Sequence, residues 1–411
     1  MSDSEQQADA PVVVAGAGPV GMTAALALDA RGIDSTILEA DPEDRDRPGS
    51  RAIYVHKDTL RTLEQSHPGL GQRLVDNGIT WSTRRTLFRG KEVFARTYPD
   101  RGGDGGLPHF TSLPQVWTEE YMLDAIEESD GIDLHWDSPV DTVDASDDGV
   151  TVETEGGDVW EAEYVVGADG AGSTVRKEIG AEFDGTESPN SFIIADVDED
   201  PDNPRKQERV FHYDHPELGG RNVLFVPFQG GWRVDIQCRE SDDPERMAEE
   251  PNINRMVATV LGERYRDRVT WVSEYKFKQV TADRMVDDRN RVLLAGEAGH
   301  LFAPFGARGM NSGVADADAA ASAISVALNA DVRETADGEI AEYGIRRQKA
   351  AEYNRAAAGQ ALEYLQGDSI VTKTKKRLAA ELADYYEPAG EWLDDAPYGP
   401  HEGPPVTIGQ Y

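Results

Sequence analysis

Apolar and polar positions recur with different periods along this chain, and the change of period divides it. Pro11-Val-Val-Val-Ala is a run of β-branched and small apolar residues, the pattern of a buried strand. An apolar helix follows to about Arg31, and Ile33 to Leu38 reads as a second strand. His56 to Gly78 is predicted as one or two helices and residues 81–98 as strands. Thr118 to Glu128 is predicted as a helix with Thr118 at its N-cap. Short strands are expected at 132–136, 139–144 and 150–155, the last two turning through Asp147-Asp148-Gly149. From Ala181 to about Asp288 a period of two takes over. Val223 to Phe228, Trp232 to Cys238 and Val269 to Gln279 read as half-buried antiparallel strands. On one of them Trp232, Val234, Ile236 and Cys238 share a face, and Arg233, Asp235 and Gln237 share the other. Such polar faces are expected to meet solvent more often than a pocket. Asp243 to Gly262 reads as helical.

The pattern then returns to its first form. Arg291 to Ala295 is a short aliphatic strand, followed by a loop with Gly306 and Gly309 close to Pro304. Met310, Val314, Ala317, Ala321, Ile324 and Leu328 step by four and three, the stripe of a helix. Glu334 to Leu365 and Val371 to Tyr386 read as long polar helices lying across the first lobe. Pro388 to Tyr411 is rich in Pro and Gly and is expected to be irregular. The fold class is therefore α/β with mixed α+β character. A doubly wound lobe spans 11–180, with a small strand insertion at about 81–112. A mostly antiparallel second lobe spans 181–288. Residues 289–387 complete the first lobe and add the long helices, and 388–411 form a tail. A chain of 411 residues exceeds what one compact core holds, which fits two lobes.

The first strand runs into Gly16-Ala-Gly18-Pro-Val-Gly21, which opens the helix, and the second strand ends at Glu39. Strand, G-x-G-x-x-G, helix, strand and an acid about 20 residues on make the dinucleotide fingerprint. Gly16 makes the tight turn, Gly18 admits a pyrophosphate, Gly21 lets the helix sit on the strand, and Glu39 accepts hydrogen bonds from the adenosine ribose. This motif fits FAD and NAD equally. The second Gly-rich crossover, at 296–311, also presents the first N–H groups of a helix to a ligand, an arrangement that favours negative charge.

Three stretches carry a resemblance. Gly296-Glu297-Ala298-Gly299-His300 with Pro304-Phe305-Gly306-Ala307-Arg308-Gly309-Met310-Asn311 resembles the second flavin motif of the FAD-dependent aromatic hydroxylases of the para-hydroxybenzoate hydroxylase fold. Glu297 stands where that family has Asp, and Ala307-Arg308 where it has Gly-Gln. Gly167-Ala-Asp169-Gly170, with Ser173, Val175 and Arg176, matches the family's Asp-Gly motif. With the motif at Gly16 these follow the family's order along most of the chain, and the resemblance selects FAD. It implies that Arg51 reaches the FAD pyrophosphate; read without it, Arg51 is a solvated charge in a polar loop. It implies that Gln115 contacts the flavin side and that Asp169 lies beneath the cofactor. It further implies that Glu297 bonds cofactor hydroxyls, and that Gly309, Met310 and Asn311 face the flavin's N1–C2 edge with Pro304 beside the reactive face. The implied activity is hydroxylation of a phenolic or related aromatic molecule with NADH or NADPH and O2, through a flavin hydroperoxide. The 181–288 lobe is then the substrate lobe. Flavin reductases, epoxidases, halogenases and non-catalytic binding proteins of the same fold are the alternatives.

A phenol reacts faster as phenolate, so a base or cationic donor in the substrate lobe is expected. His212, His215 and Arg233 are the candidates, with Tyr213 between the His residues. That His pair lacks further ligands at metal spacing, so no metal site is expected. Composition adds boundaries. The net charge is −36, with acidic residues spread along the chain and Arg outnumbering Lys about three to one. This pattern reads as a surface adapted to high salt and excludes nucleic acid, whose phosphates need clustered cations. A single Cys, Cys238, permits no internal disulfide and fits a reducing, cytoplasmic setting. The N-terminus has no signal-peptide pattern, and no apolar run approaches the ~20 residues of a transmembrane helix. A homodimer is compatible with all of this.

Overall fold

The computed structural model describes residues 8–47, 49–98, 106–366 and 369–398. The first lobe is built on a seven-stranded sheet. Its order runs Ile132–His135, Ser35–Leu38, Ala8–Ala15, Val159–Gly167, Val150–Thr154, Val140–Ala145, with Val292–Leu294 pairing beside Val159–Gly167. Val13 lies opposite Val165 and Val166 opposite Leu293, both in parallel pairs. Their central stretches Val12–Ala15, Tyr164–Gly167 and Val292–Leu294 read as continuous apolar runs and are buried throughout. The helices Pro19–Asp29 and Arg308–Leu328 pack against each other over this sheet. Close approach depends on Gly21, where an added Cβ would sit 1.9 Å from the carbonyl of Gly16.

The second lobe is an eight-stranded, mostly antiparallel sheet. Its long strands Phe183–Asp198 and Val269–Ala282 pair along nearly their whole length, and Gly231–Cys238 and Arg221–Phe228 follow. Trp232, Val234 and Ile236 point to one face and are fully buried against Ile253 and Val257 of helix Glu250–Leu261. Covering such side chains contributes about 1.5–3 kcal/mol each.

Three expectations are corrected. The strands Thr83–Phe88 and Lys91–Thr97 are the edge of this second sheet, through parallel pairing with Arg209–His215, and not an insertion in the first lobe. Helix Gln115–Glu127 starts after Pro114, three residues before Thr118, which is buried inside it and caps nothing. Residues 387–395 of the expected tail region are helical, with Pro388 in the first turn, where its missing N–H costs nothing. A fourth correction follows: helix Ile370–Leu382, expected across the first lobe, packs with that helix on the second lobe around Phe211, Tyr213 and Leu393, while Arg333–Gln366 packs on Arg308–Leu328. The remainder of the tail, 399–411, lies outside the described residues, as does most of the Gly-rich loop Pro99–Pro108. No described helix is long and apolar enough to cross a membrane.

Candidate active site

A single cavity of about 1840 Å³ runs between the lobes. That exceeds the ~300–1,000 Å³ of a pocket for one drug-sized molecule, so it has room for a dinucleotide and a second ligand. At one end stand the glycine turns. Gly16 has φ +100, and a Cβ there would meet the Ala168 carbonyl at 2.6 Å, so the turn excludes other residues. Gly18 and Gly309 have nothing within 4 Å of where a Cβ would lie. Helices Pro19–Asp29 and Arg308–Leu328 thus both open onto the cavity with bare backbone at their starts. Two positive helix ends border the cavity there, which fits a dinucleotide carrying a pyrophosphate and an electron-accepting ring.

Side chains brace this end. Glu39 is buried and accepts from the Ala17 amide, while Arg45 lies 2.8 Å from its other oxygen. Gln115 accepts from the Ala52 amide at 3.1 Å and donates to Glu119 at 2.7 Å. Arg51 lines the cavity from a left-handed backbone, φ 46. Asp169 also lines it, but its oxygens accept from the Ser173 hydroxyl at 2.5 Å and the Val175 amide at 3.0 Å, capping helix Thr174–Glu178. Glu297 opens onto the water of the cleft. The enclosing walls nevertheless push its carboxyl above the usual carboxylate range, while His300 and Arg51 pull the other way. Pro304 and Met310 line the same cavity.

Asn311 lies in the first turn of helix Arg308–Leu328, the helix start the expectation concerns, and its side chain has a separate task. It is buried, its side chain does not line the cavity, and both ends of its amide are occupied. The oxygen accepts from His56 N at 2.9 Å and the Thr59 hydroxyl at 2.7 Å, and the nitrogen donates to Tyr54 and Ala307 carbonyls. It is a strut beneath the cavity floor. Arg308 is likewise turned into the protein, donating to Asn354 at 2.8 Å and tying the flavin-side loop to the long helix Arg333–Gln366.

Beneath the second crossover lies a hub that sequence reasoning missed. Asp316, fully buried, accepts from the Gly296 amide at 3.0 Å and pairs with His300 at 2.6 Å and Arg347 at 2.5 Å. Burial pushes its carboxyl up, but Arg347, His300 and the amide together hold it below the usual carboxylate range. An acid within an apolar helical stripe was the available signal.

The far end of the cavity is the second sheet, and here the face carrying Arg233 and Asp235 is not a solvent face. Across the pairing register it continues with Ile194, Leu224, Val226 and Ser273, and all of them line the cavity. Arg233 is held by the Ser50 hydroxyl and by Asp196, 3.7 Å away. Further out, Arg84 and Arg209 share the buried carboxylate of Asp394 at 3.2 and 2.6 Å. His212 and His215 are not brought to the cavity. Their rings lie 4.2 Å apart on strand Arg209–His215, and His212 Nε2 accepts from the Gly90 amide at 2.9 Å. Burial and the neighbouring His215 lower His212 to about 4, so it stays neutral near pH 7.

The model of the FAD binding domain matches residues 9–356, most of the chain. This chain belongs to the FAD binding domain family. FAD is its cofactor, and the two helix starts and the glycine turns are where it fits. Among curated relatives, the chain is 28% identical over 326 residues to a 3-(3-hydroxy-phenyl)propionate/3-hydroxycinnamic acid hydroxylase of Mycobacterium avium (strain 104), covering 75% of this chain and 53% of that protein. It is 29% identical over 348 residues to a para-nitrophenol 4-monooxygenase of Pseudomonas sp. (strain WBC-3), covering 82% of each. This chain therefore spans about half the length of the first relative and most of the second. The solved p-nitrophenol 4-monooxygenase of Pseudomonas putida DLL-E4 shares the fold with a TM-score of 0.78 at 23% identity, over 96% of this chain and 99% of that one.

Proposed function

We infer that this FAD-binding chain is a monooxygenase that hydroxylates a phenolic small molecule, using NADH or NADPH as reductant and O2 as oxidant. The observation that carries this reading is the continuity of one cavity from the glycine turns to a polar and aromatic sheet face. FAD, when bound, supplies electron transfer from the nicotinamide and the activation of O2. The chain's own residues bind, orient and exclude water. The start of helix Arg308–Leu328 stabilises negative charge at the cofactor's edge. Arg51 and Glu297 hold cofactor oxygens and hydroxyls, and Pro304 borders the space where the ring reacts. Arg233, fixed by Ser50 and Asp196, offers a cation to an oxygen on the substrate ring. Trp271 and Tyr275 supply apolar wall against that ring. The single, buried Cys238 suits a cytoplasmic setting.

The test is a panel of phenols added to the yellow, FAD-loaded protein with NADH or NADPH. Stimulated nicotinamide oxidation, with a hydroxylated product recovered, is the expected result. Absence of stimulation by every phenol, in protein that holds FAD, overturns the reading.

A further inference from the structure

Among the cavity-lining carboxylates of the described residues, Asp235 is the one with a buried oxygen that has no hydrogen-bond partner. Glu39 holds the glycine turn, Asp169 caps a helix, and Asp395 pairs with Arg84 at 3.4 Å. Asp235 sits mid-strand in Gly231–Cys238, opposite Ile194 on one neighbour and Leu224 on the other. Its Oδ1 is buried without a hydrogen-bond partner, and so is Nε of Arg233 two residues away on the same face. Buried polar atoms are nearly always satisfied, and leaving a charged one unsatisfied costs about 1–3 kcal/mol or more. Both side chains are partly exposed to the cavity, Asp235 with no hydrogen bond to its carboxylate and Arg233 beside it, so the pair is complementary to a ligand that both donates and accepts at a single oxygen. A phenol hydroxyl does both.

We propose that Asp235 is the base of the reaction: the substrate's phenolic hydroxyl donates to its carboxylate, which takes the proton in the reacting complex. The proposal rests on the hydroxylase reading. The phenol O–H bond breaks, its electron pair stays on the phenol oxygen, and an O–H bond forms on Asp235. The resulting phenolate lies beside the Arg233 guanidinium, and its electron-rich ring is the form that oxygen transfer requires. The proton leaves to water through the cavity when product departs.

The surroundings suit this role. Burial pushes the Asp235 carboxyl up to about 6, Arg233 pulls it down, and Asp196 pushes it further up. Its proton affinity is thus brought toward that of a phenol, whose ordinary value is about 10, while the group remains ionised at neutral pH. The charged and titratable groups facing it are few. Arg233 shares its strand, Asp196 lies on the next, and Tyr275 on the one beyond. The strand on the other side offers only Leu224 and Val226, with Arg209 one strand further. Tyr275 is pushed up to about 12 by burial and by Glu297, against Arg233, so it stays neutral and is not a competing base.

Asp235→Asn keeps the shape and removes the base. With those phenols of the panel whose own pKa is near 10, its kcat at about pH 7 is expected to fall by ~10²–10⁴-fold with little change in KM or FAD content. Wild-type rate is expected to drop below about pH 6. The variant instead recovers as pH approaches the phenol's own ~10, because solution phenolate replaces the missing base. A merely structural residue gives no such recovery. Equal kcat and pH profiles for variant and wild type overturn the proposal. Should the variant lose FAD, the wild-type profile decides alone: no acid limb near 6 overturns it. If wild type turns over no phenol, the hydroxylase reading falls first and this proposal with it.

Discussion

Asp316 and Asp235 are both carboxylates inside this protein, and their surroundings are opposite. Asp316, under the second glycine crossover, has an amide, a His and an Arg on its two oxygens, and its acidity is strengthened. Asp235, on the second sheet, has an oxygen with no partner and its acidity is weakened. A carboxylate whose partners are all supplied by the fold holds the fold. One whose partners are withheld stores a binding preference for something outside it. Asp316 is of the first kind and Asp235 of the second.

Removing a satisfied group should cost most. Asp316→Ala leaves Arg347 and His300 without their buried counterion, and breaking such a pair costs about 3–5 kcal/mol. Urea unfolding should read that loss directly, together with weakened FAD retention through the displaced Gly296 loop. The pH dependence has a fixed sign. The folded-state pKa of Asp316 is depressed below its unfolded value of ~3.9, so its contribution is complete above that pH and disappears as pH falls through the folded value. The gap in urea midpoint between wild type and Asp316→Asn should therefore close on acidification. A gap that is constant with pH separates Asp316 from this role.

Glu297 stands between the two cases, open to the cleft but enclosed by it. If it bonds cofactor hydroxyls, Glu297→Ala leaves them unpaired and weakens FAD binding by ~1–3 kcal/mol, whereas Glu297→Asp keeps most of the affinity. Fluorescence titration of FAD into apoprotein measures both. Equal affinity for Glu297→Ala and wild type removes it from the cofactor ligands. The smallest functional effect is expected on strand Arg209–His215. Replacing His212 and His215 by Ala strips an acceptor from the Gly90 amide and lowers stability by ~1–3 kcal/mol. Oxygen transfer and its coupling to nicotinamide oxidation should be unchanged. Uncoupled peroxide release from that double variant places the pair in the chemistry after all.

The glycine motifs were legible because backbone geometry there leaves no choice of residue: Gly16 and Gly21 each face a carbonyl where a side chain would go. The two lobes were legible from the change of period. What a strand's polar face meets was not. Arg233, Asp235 and Gln237 alternate with apolar residues in the same way whether water or a water-filled cavity lies beyond, because the period records only the buried side. The attraction of His212 and His215 was their chemistry, but a side chain's chemistry does not give its direction, and these rings do not line the cavity. Asp316 was overlooked because its partners, His300 and Arg347, come from elsewhere in the chain. Helix Glu387–Asp395 was hidden by Pro388, read as a breaker where it starts a helix.

The strand Val159–Gly167 has Ala8–Ala15 on one side and Val292–Leu294 on the other. The central sheet therefore closes only after segments from both ends of the matched region have found it, across the whole substrate lobe. Loop closure over such distances is entropically slow, and pairing of this kind forms late in folding. The first glycine turn, made early on the ribosome, then waits for the second before a cofactor can be gripped from both sides. Capture of FAD therefore belongs to the end of folding, after the second crossover has closed.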